Sequence, residues 1–120
     1  MSIVQPSSRP TTGQDAELAG IQRILAGDQY MTVYKAIKPE ADAAAQLAVA
    51  LLRGEKPPSG LVNTKQNNGQ KDVPSVIYKP VAVTKANVKD TIIKDGYWTP
   101  AELCTGQYKS ACQSAGISGA

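Results

Sequence analysis
An α/β fold of βαβαβ order, followed by C-terminal helices, is what this sequence predicts, on three observations. The apolar side chains are Ala, Val, Ile and Leu, with no Phe, so rings come only from Trp98 and the tyrosines; that is the composition of close-packed helices on a sheet. Runs that favour strands alternate with runs of helical period. Gly and Pro separate them. At 120 residues there is room for one domain, and a compact chain of this mass buries about two thirds of its unfolded surface.

Residues 1–11 read as a linker or frayed start: Met1 to Pro10 is polar and rich in Pro and Ser, with no apolar run resembling a signal peptide. A small-residue turn, Thr12-Gly13-Gln14, then leads into a helix expected from about Asp15 to Ala26. Asp15 is a favourable N-cap residue, because a carboxylate accepts from the unpaired amides of a first turn, and Glu17 complements the helix dipole. Leu18, Ile21, Ile24 and Leu25 recur at helical spacing, and Gly27 stops the helix. Tyr30-Met31-Thr32-Val33-Tyr34 predicts a strand ending at Lys35. Asp15 thus opens a helix and Lys35 ends the next strand. In an open parallel α/β sheet, ligands bind in the crevice beyond the carboxyl ends of the strands, where both residues would lie.

Lys38-Pro39-Glu40 opens a second helix, with Pro in its first turn. Its Ala-rich run, with Leu47, Val49, Leu51 and Leu52, continues to a stop at Gly54 and is expected to pack its alanines closely on a sheet. Glu55 to Asp72 turns to Pro, Gly, Asn, Gln and Lys and predicts a long surface loop, with Asn67, Asn68 and Gln70 making a turn around Gly69. Pro74 to Thr84 predicts the third strand, with Pro80 marking a bend or a change of lobe. Lys85 to Lys94 is a short helix with Val88, Ile92 and Ile93 on one side, ended by Gly96-Tyr97-Trp98. Thr99-Pro100-Ala101-Glu102 matches a capping box with Pro at the first helical position. Trp98 supplies a ring face on which a ligand could stack, but the expectation is that it packs structurally. Cys104 and Cys112 are the only cysteines. On the residues alone, they are either a disulfide or two unrelated thiols.

With no His in the chain, His-based acid/base catalysis, a Ser-His-Asp triad and most zinc sites are excluded. The net charge of +3 is modest and its lysines are spread along the chain, which describes a solvated mixed surface. A nucleic-acid footprint wants a clustered basic face with stacking aromatics. No nucleic-acid partner, metal or cofactor is expected.

The stretch GQDAELAGIQRILAGDQYMTVYK, residues 13–35, resembles the sugar-binding proteins of bacterial ABC transporters, in the xylose and multiple-sugar branch of the type I periplasmic fold. The resemblance continues through Glu55-Lys56-Pro57-Pro58, Asn67-Asn68-Gly69, Val73-Pro74-Ser75-Val76, the run Pro80 to Val88, and Lys94-Asp95-Gly96-Tyr97-Trp98. It implies a partial Rossmann-like three-layer unit from the C-terminal portion of such a protein. Residues 12–84 would be part of the C-terminal sugar-binding lobe, and residues 85–120 the crossover and helical tail. It implies that Asp15 is the carboxylate accepting sugar hydroxyls and that Lys35, twenty residues on, donates to the sugar. Gln14 is a weaker contact or a support behind them. Because these relatives are exported, it favours a Cys104–Cys112 disulfide, which the chain-entropy model values at roughly 2–3 kcal/mol, and an extracytoplasmic parent, periplasmic or a surface lipoprotein. The family is longer, and its first lobe and the remaining site residues have no counterpart here.

Three functional classes follow. A carbohydrate-binding segment takes a monosaccharide, pentose or hexose, and in its full-length context meets an ABC permease. Charged partners make the stronger hydrogen bonds to sugar hydroxyls. The alternative is a truncated structural or interaction piece, a swapped homodimer among its forms, with no sugar affinity of its own. An enzyme ranks last, since no second carboxylate, nucleophile motif or phosphate loop accompanies Asp15 and Lys35.

Overall fold
The computed structural model describes residues 10–119. The chain divides into two compact units: Met1–Tyr34 with Val81–Ala120, and Lys35–Pro80.

The first unit is organised on a three-stranded sheet of β1 (Thr12–Gln14), β2 (Met31–Tyr34) and β5 (Val81–Val83), in that spatial order. Strand β1 (Thr12–Gln14) runs parallel to β2 (Met31–Tyr34), with Thr12 opposite Met31 and Gln14 opposite Val33. Helix α1 (Leu18–Ala26) makes the crossover between them, as a parallel pair requires. It buries Gly20, Ile21, Ile24 and Leu25 and ends at Gly27, whose φ of 95° and amide bonds to the Arg23 and Ile24 carbonyls form the expected left-handed stop. The start differs from expectation. Glu17 stands at the N-cap with no side-chain cap bond, and Asp15 lies two residues outside the helix. Asp15 and Ala16 are consumed by a left-handed turn, so the helical dihedrals begin later and the N-cap position falls to Glu17.

Strand β5 (Val81–Val83) pairs antiparallel with β2, Tyr34 opposite Val81 and Thr32 opposite Val83. The chain leaves β2 at Tyr34 and returns opposite the same residue, so its next strand must run backwards. The third strand is therefore not a further parallel one. A π-helical turn at Lys89–Ile93 follows, with the Ile93 amide reaching the Val88 carbonyl at 3.2 Å and the Lys94 amide the Lys89 carbonyl at 3.1 Å. This wider turn replaces the expected short α-helix and places Val88 and Ile92 wholly out of solvent. Helix α3 (Pro100–Leu103) opens with the predicted box: the Glu102 amide donates to Thr99 Oγ1, and the Thr99 amide donates to Glu102 Oε2 at 2.9 Å. That contact holds the Glu102 carboxyl below the usual carboxylate range. A 3-10 turn (Gly106–Tyr108) leads into α4 (Lys109–Ser114). Cys104 and Cys112 are joined by a disulfide, Cα atoms 5.8 Å apart and both residues buried. Helices α3 and α4 pack on α1, and the Gln22 side-chain amide donates to the Leu103 carbonyl at 3.1 Å.

The second unit contains α2 (Ile37–Leu52) and an antiparallel hairpin, β3 (Thr64–Asn67) with β4 (Asp72–Ser75). Among the alanines of α2 only Ala43 and Ala50 are buried, while Val49, Leu51 and Leu52 stand exposed, so close packing along the Ala-rich face is not what is found. Glu40, Ala43, Ala44 and Leu47 instead line a shallow groove with Pro74 to Tyr78. The expected loop from Glu55 to Asp72 contains β3. Its turn is as predicted: Asn67 Oδ1 accepts from the Gly69 amide at 2.9 Å, Asn68 Oδ1 accepts from the Gln70 and Lys71 amides at 3.0 Å, and Gly69 has a φ of 88°. The single strand expected over Pro74 to Thr84 is two strands, β4 and β5, with the break between the units at Pro80. No helix among the described residues is long and apolar enough to cross a membrane.

Candidate functional site
The site is built on the turn where β1 passes into α1. The ladder puts Gln14 opposite Val33, so β1 and β2 finish at one edge of the sheet. The Asp15 amide extends this ladder by donating to the Val33 carbonyl at 2.8 Å. The backbone then turns through φ values of 74° at Asp15 and 52° at Ala16, the two non-glycine residues with positive φ among those described. Asp tolerates this region through its short polar side chain; for an ordinary L-residue it costs roughly 1–2 kcal/mol.

Four hydrogen bonds offset that cost. Besides the ladder bond, the Ala16 amide donates to Thr32 Oγ1 at 3.4 Å. Trp98 Nε1 donates to the Ala16 carbonyl at 2.9 Å, and the Tyr97 hydroxyl donates to the Asp15 carbonyl at 3.3 Å. Ala16 and Thr32 are buried, so the turn's polar groups are satisfied within the protein.

An aromatic cluster braces the donors. The Tyr97 ring meets Tyr34 edge to face at 5.1 Å and Trp98 at 5.6 Å, geometry that aromatic pairs prefer. Tyr34 is buried and its hydroxyl donates to Asp95 Oδ2 at 3.1 Å. Burial, then the Asp95 hydrogen bond and charge, push the Tyr34 phenol up to about 12.

Of the residues expected to touch ligand, Asp15 and Gln14 are exposed at this edge, one on the turn and one ending β1. Lys35 is also exposed; it follows β2 directly and is the first residue of the second unit. No cluster of His, Cys, Asp and Glu fit to hold a metal occurs among the described residues. Trp98 packs structurally, as expected, but its link to the turn escaped the sequence reading, as did those of Tyr97 and Thr32. Residues 15 and 97, like 16 and 98, are 82 apart, beyond any local pattern.

No model of a known protein family matches the chain. The D-xylose-binding periplasmic protein of Escherichia coli is 53% identical over 92 residues, covering 77% of this chain and 27% of that protein. The chain is homologous to one segment of the periplasmic sugar-binding proteins. A multiple sugar-binding periplasmic protein of Azospirillum brasilense is 40% identical over 93 residues, 77% of this chain and 25% of the relative. Among solved structures, a carbohydrate transporter solute-binding protein from Chloroflexus aurantiacus in complex with D-glucose superimposes with a TM-score of 0.71 at 40% identity. The match covers 78% of this chain and 26% of that one. The chain thus spans about a quarter of the length of these relatives, and its described part is a partial α/β unit of the type I fold. These relatives are named as binding proteins and not as enzymes, and as periplasmic ones.

Proposed function
We propose that this chain is the monosaccharide-binding segment of an ABC-transporter solute-binding protein and not an enzyme. The carboxylate of Asp15 accepts hydroxyl hydrogen bonds, Lys35 donates one, and Gln14 supports them. The observation that carries this reading is the exposed Asp15 on a left-handed, fully bonded turn at the carboxyl end of a parallel βαβ unit, the place where such sheets take ligands. Relatives bound to or named for D-glucose and D-xylose support a pentose or hexose as the ligand. The full-length context supplies an ABC permease as partner, and the Cys104–Cys112 disulfide supports an extracytoplasmic location.

Affinity of this segment alone is weak, because most contacts of a site that closes between two lobes lie elsewhere. The test is thermal unfolding with and without millimolar xylose, arabinose, ribose, glucose and galactose, repeated on Asp15→Ala. Ligand at about a hundred times its dissociation constant adds about 2.7 kcal/mol. One sugar should stabilise the natural chain and not the variant; no response to any of them defeats the reading.

A second reading, an interaction piece without sugar affinity, is favoured by the exposure of Leu51 at 73% and Leu52 at 87% on α2. It requires a mass above the monomer whatever sugar is present, which sedimentation equilibrium measures.

A further inference from the structure
The structure assigns to Trp98, assisted by Tyr97, the role of a positioning residue: its indole N–H fixes the left-handed Asp15–Ala16 turn and so sets where the Asp15 carboxylate stands. This rests on the reading of Asp15 as a sugar ligand. The geometry comes from opposite ends of the first unit. The turn holds two successive non-glycine residues at positive φ, a conformation that a chain leaves unless its surroundings over-determine it. The amide side of the turn is fastened to the sheet, through Asp15 N–H to Val33 and Ala16 N–H to Thr32. The carbonyl side is fastened only from the Gly96-Tyr97-Trp98 segment among the described bonds, by Trp98 at 2.9 Å and Tyr97 at 3.3 Å.

Trp98 is the stronger of the two clamps, on distance and on the burial of the residue it grips: Ala16 is wholly excluded from solvent. Without the indole donor, the buried Ala16 carbonyl loses its partner, and the turn relaxes toward negative φ to find another. A peptide rotation there swings the Asp15 side chain away from the sheet edge. Trp98 itself need never touch the ligand. The segment that follows the π-helical turn therefore belongs to the binding machinery, although it lies outside the βαβ unit.

The experiment uses the full chain with Trp98→Phe. A second variant carries benzothienylalanine at position 98, which keeps the ring system and removes only the donor, so a folding failure of Trp98→Phe does not end the test. Two properties are read: the backbone φ of Asp15 and Ala16 from NMR couplings, and affinity for xylose and glucose by titration. Loss of positive φ at the turn, with affinity for the bound sugar reduced about tenfold or more, is expected; tenfold is the equivalent of about 1.4 kcal/mol, the order of one hydrogen bond. Tyr97→Phe should give a smaller change in the same direction. Unchanged φ in the isosteric variant overturns the inference, whatever the sugar does. If the natural chain binds neither sugar, the ligand role of Asp15 falls, while the NMR couplings still decide whether Trp98 holds the turn. A moved turn with undiminished affinity overturns the link from turn to ligand.

Discussion

Gly13→Ala should destabilise the first unit, although Gly13 is not among the glycines held at positive φ. The reason is a close approach. A Cβ on Gly13 would lie 2.7 Å from Nε2 of Gln29, a distance real contacts do not reach. The far end of a glutamine normally swings aside, but Gln29 is only 8% exposed and is tied at both ends of its amide. Its Nε2 donates to the Met31 carbonyl at 3.0 Å, and its Oε1 accepts from Arg23 Nε at 3.1 Å. Making room for the methyl group breaks one or both bonds, and each buried group left unsatisfied costs about 1–3 kcal/mol. The narrower unfolded ensemble of Ala returns about 0.4–1 kcal/mol. The net loss is about 1–3 kcal/mol. Urea unfolding followed by Trp98 fluorescence measures it in the right place, because Trp98 is the only tryptophan and lies in the same unit. In a Gln29→Ala background the clash is gone, so Gly13→Ala should then cost little, and a double-mutant cycle should show a coupling of about 0.5–3 kcal/mol. A Gly13→Ala protein as stable as the natural chain, or a strictly additive cycle, refutes the reasoning.

Thr32→Val keeps the shape of a buried side chain but removes the acceptor of the Ala16 amide, and should lower stability by about 1–3 kcal/mol in the same unfolding assay. Tyr34 should ionise only near 12 in an absorbance titration, and Asp95→Asn should bring it only part of the way back, since burial is the leading cause. Because its folded pKa lies above the unfolded value of about 10, the unfolded chain loses this proton first. Its contribution is fully present below about pH 10 and is lost as pH rises through about 12; stability independent of pH across that window in chains differing only at Tyr34 counts against it. Reducing Cys104–Cys112 should cost roughly 2–3 kcal/mol for the short loop it closes, seen as a lower urea midpoint in the presence of reductant.

Much of the fold was legible because its signals are local. Leu18, Ile21, Ile24 and Leu25 lie within two helical turns, Gly27 directly ends them, and Thr99 to Glu102 is a self-contained cap. The Asn67-Asn68-Gly69 turn is made by side chains bonding amides two or three residues on. Strand β3 was not legible. Thr64-Lys65-Gln66-Asn67 has no apolar alternation and exists through its pairing with Asp72 to Ser75, aided by Asn63, which exchanges hydrogen bonds with the backbone of Ile77 at 2.9 and 3.0 Å. The direction of β5 was hidden too, since a strand's own residues do not record whether its neighbour runs the same way.

The candidate site divides along the same line. The sequence by itself placed Asp15 at the mouth of a helix and Lys35 at the end of the next strand, through turn and strand-favouring residues acting over a few positions, but it read Thr12 to Gln14 as a turn where pairing with Met31 to Val33 makes strand β1. It assigned Asp15 the wrong conformation, that of a helix cap, because local preference for Asp favours a cap. Only the tertiary structure decided that Asp15 and Ala16 are left-handed. That backbone is disfavoured on its own by roughly 1–2 kcal/mol per ordinary residue, and here it is held by hydrogen bonds from Tyr97 and Trp98, 82 residues away, which no local pattern can report.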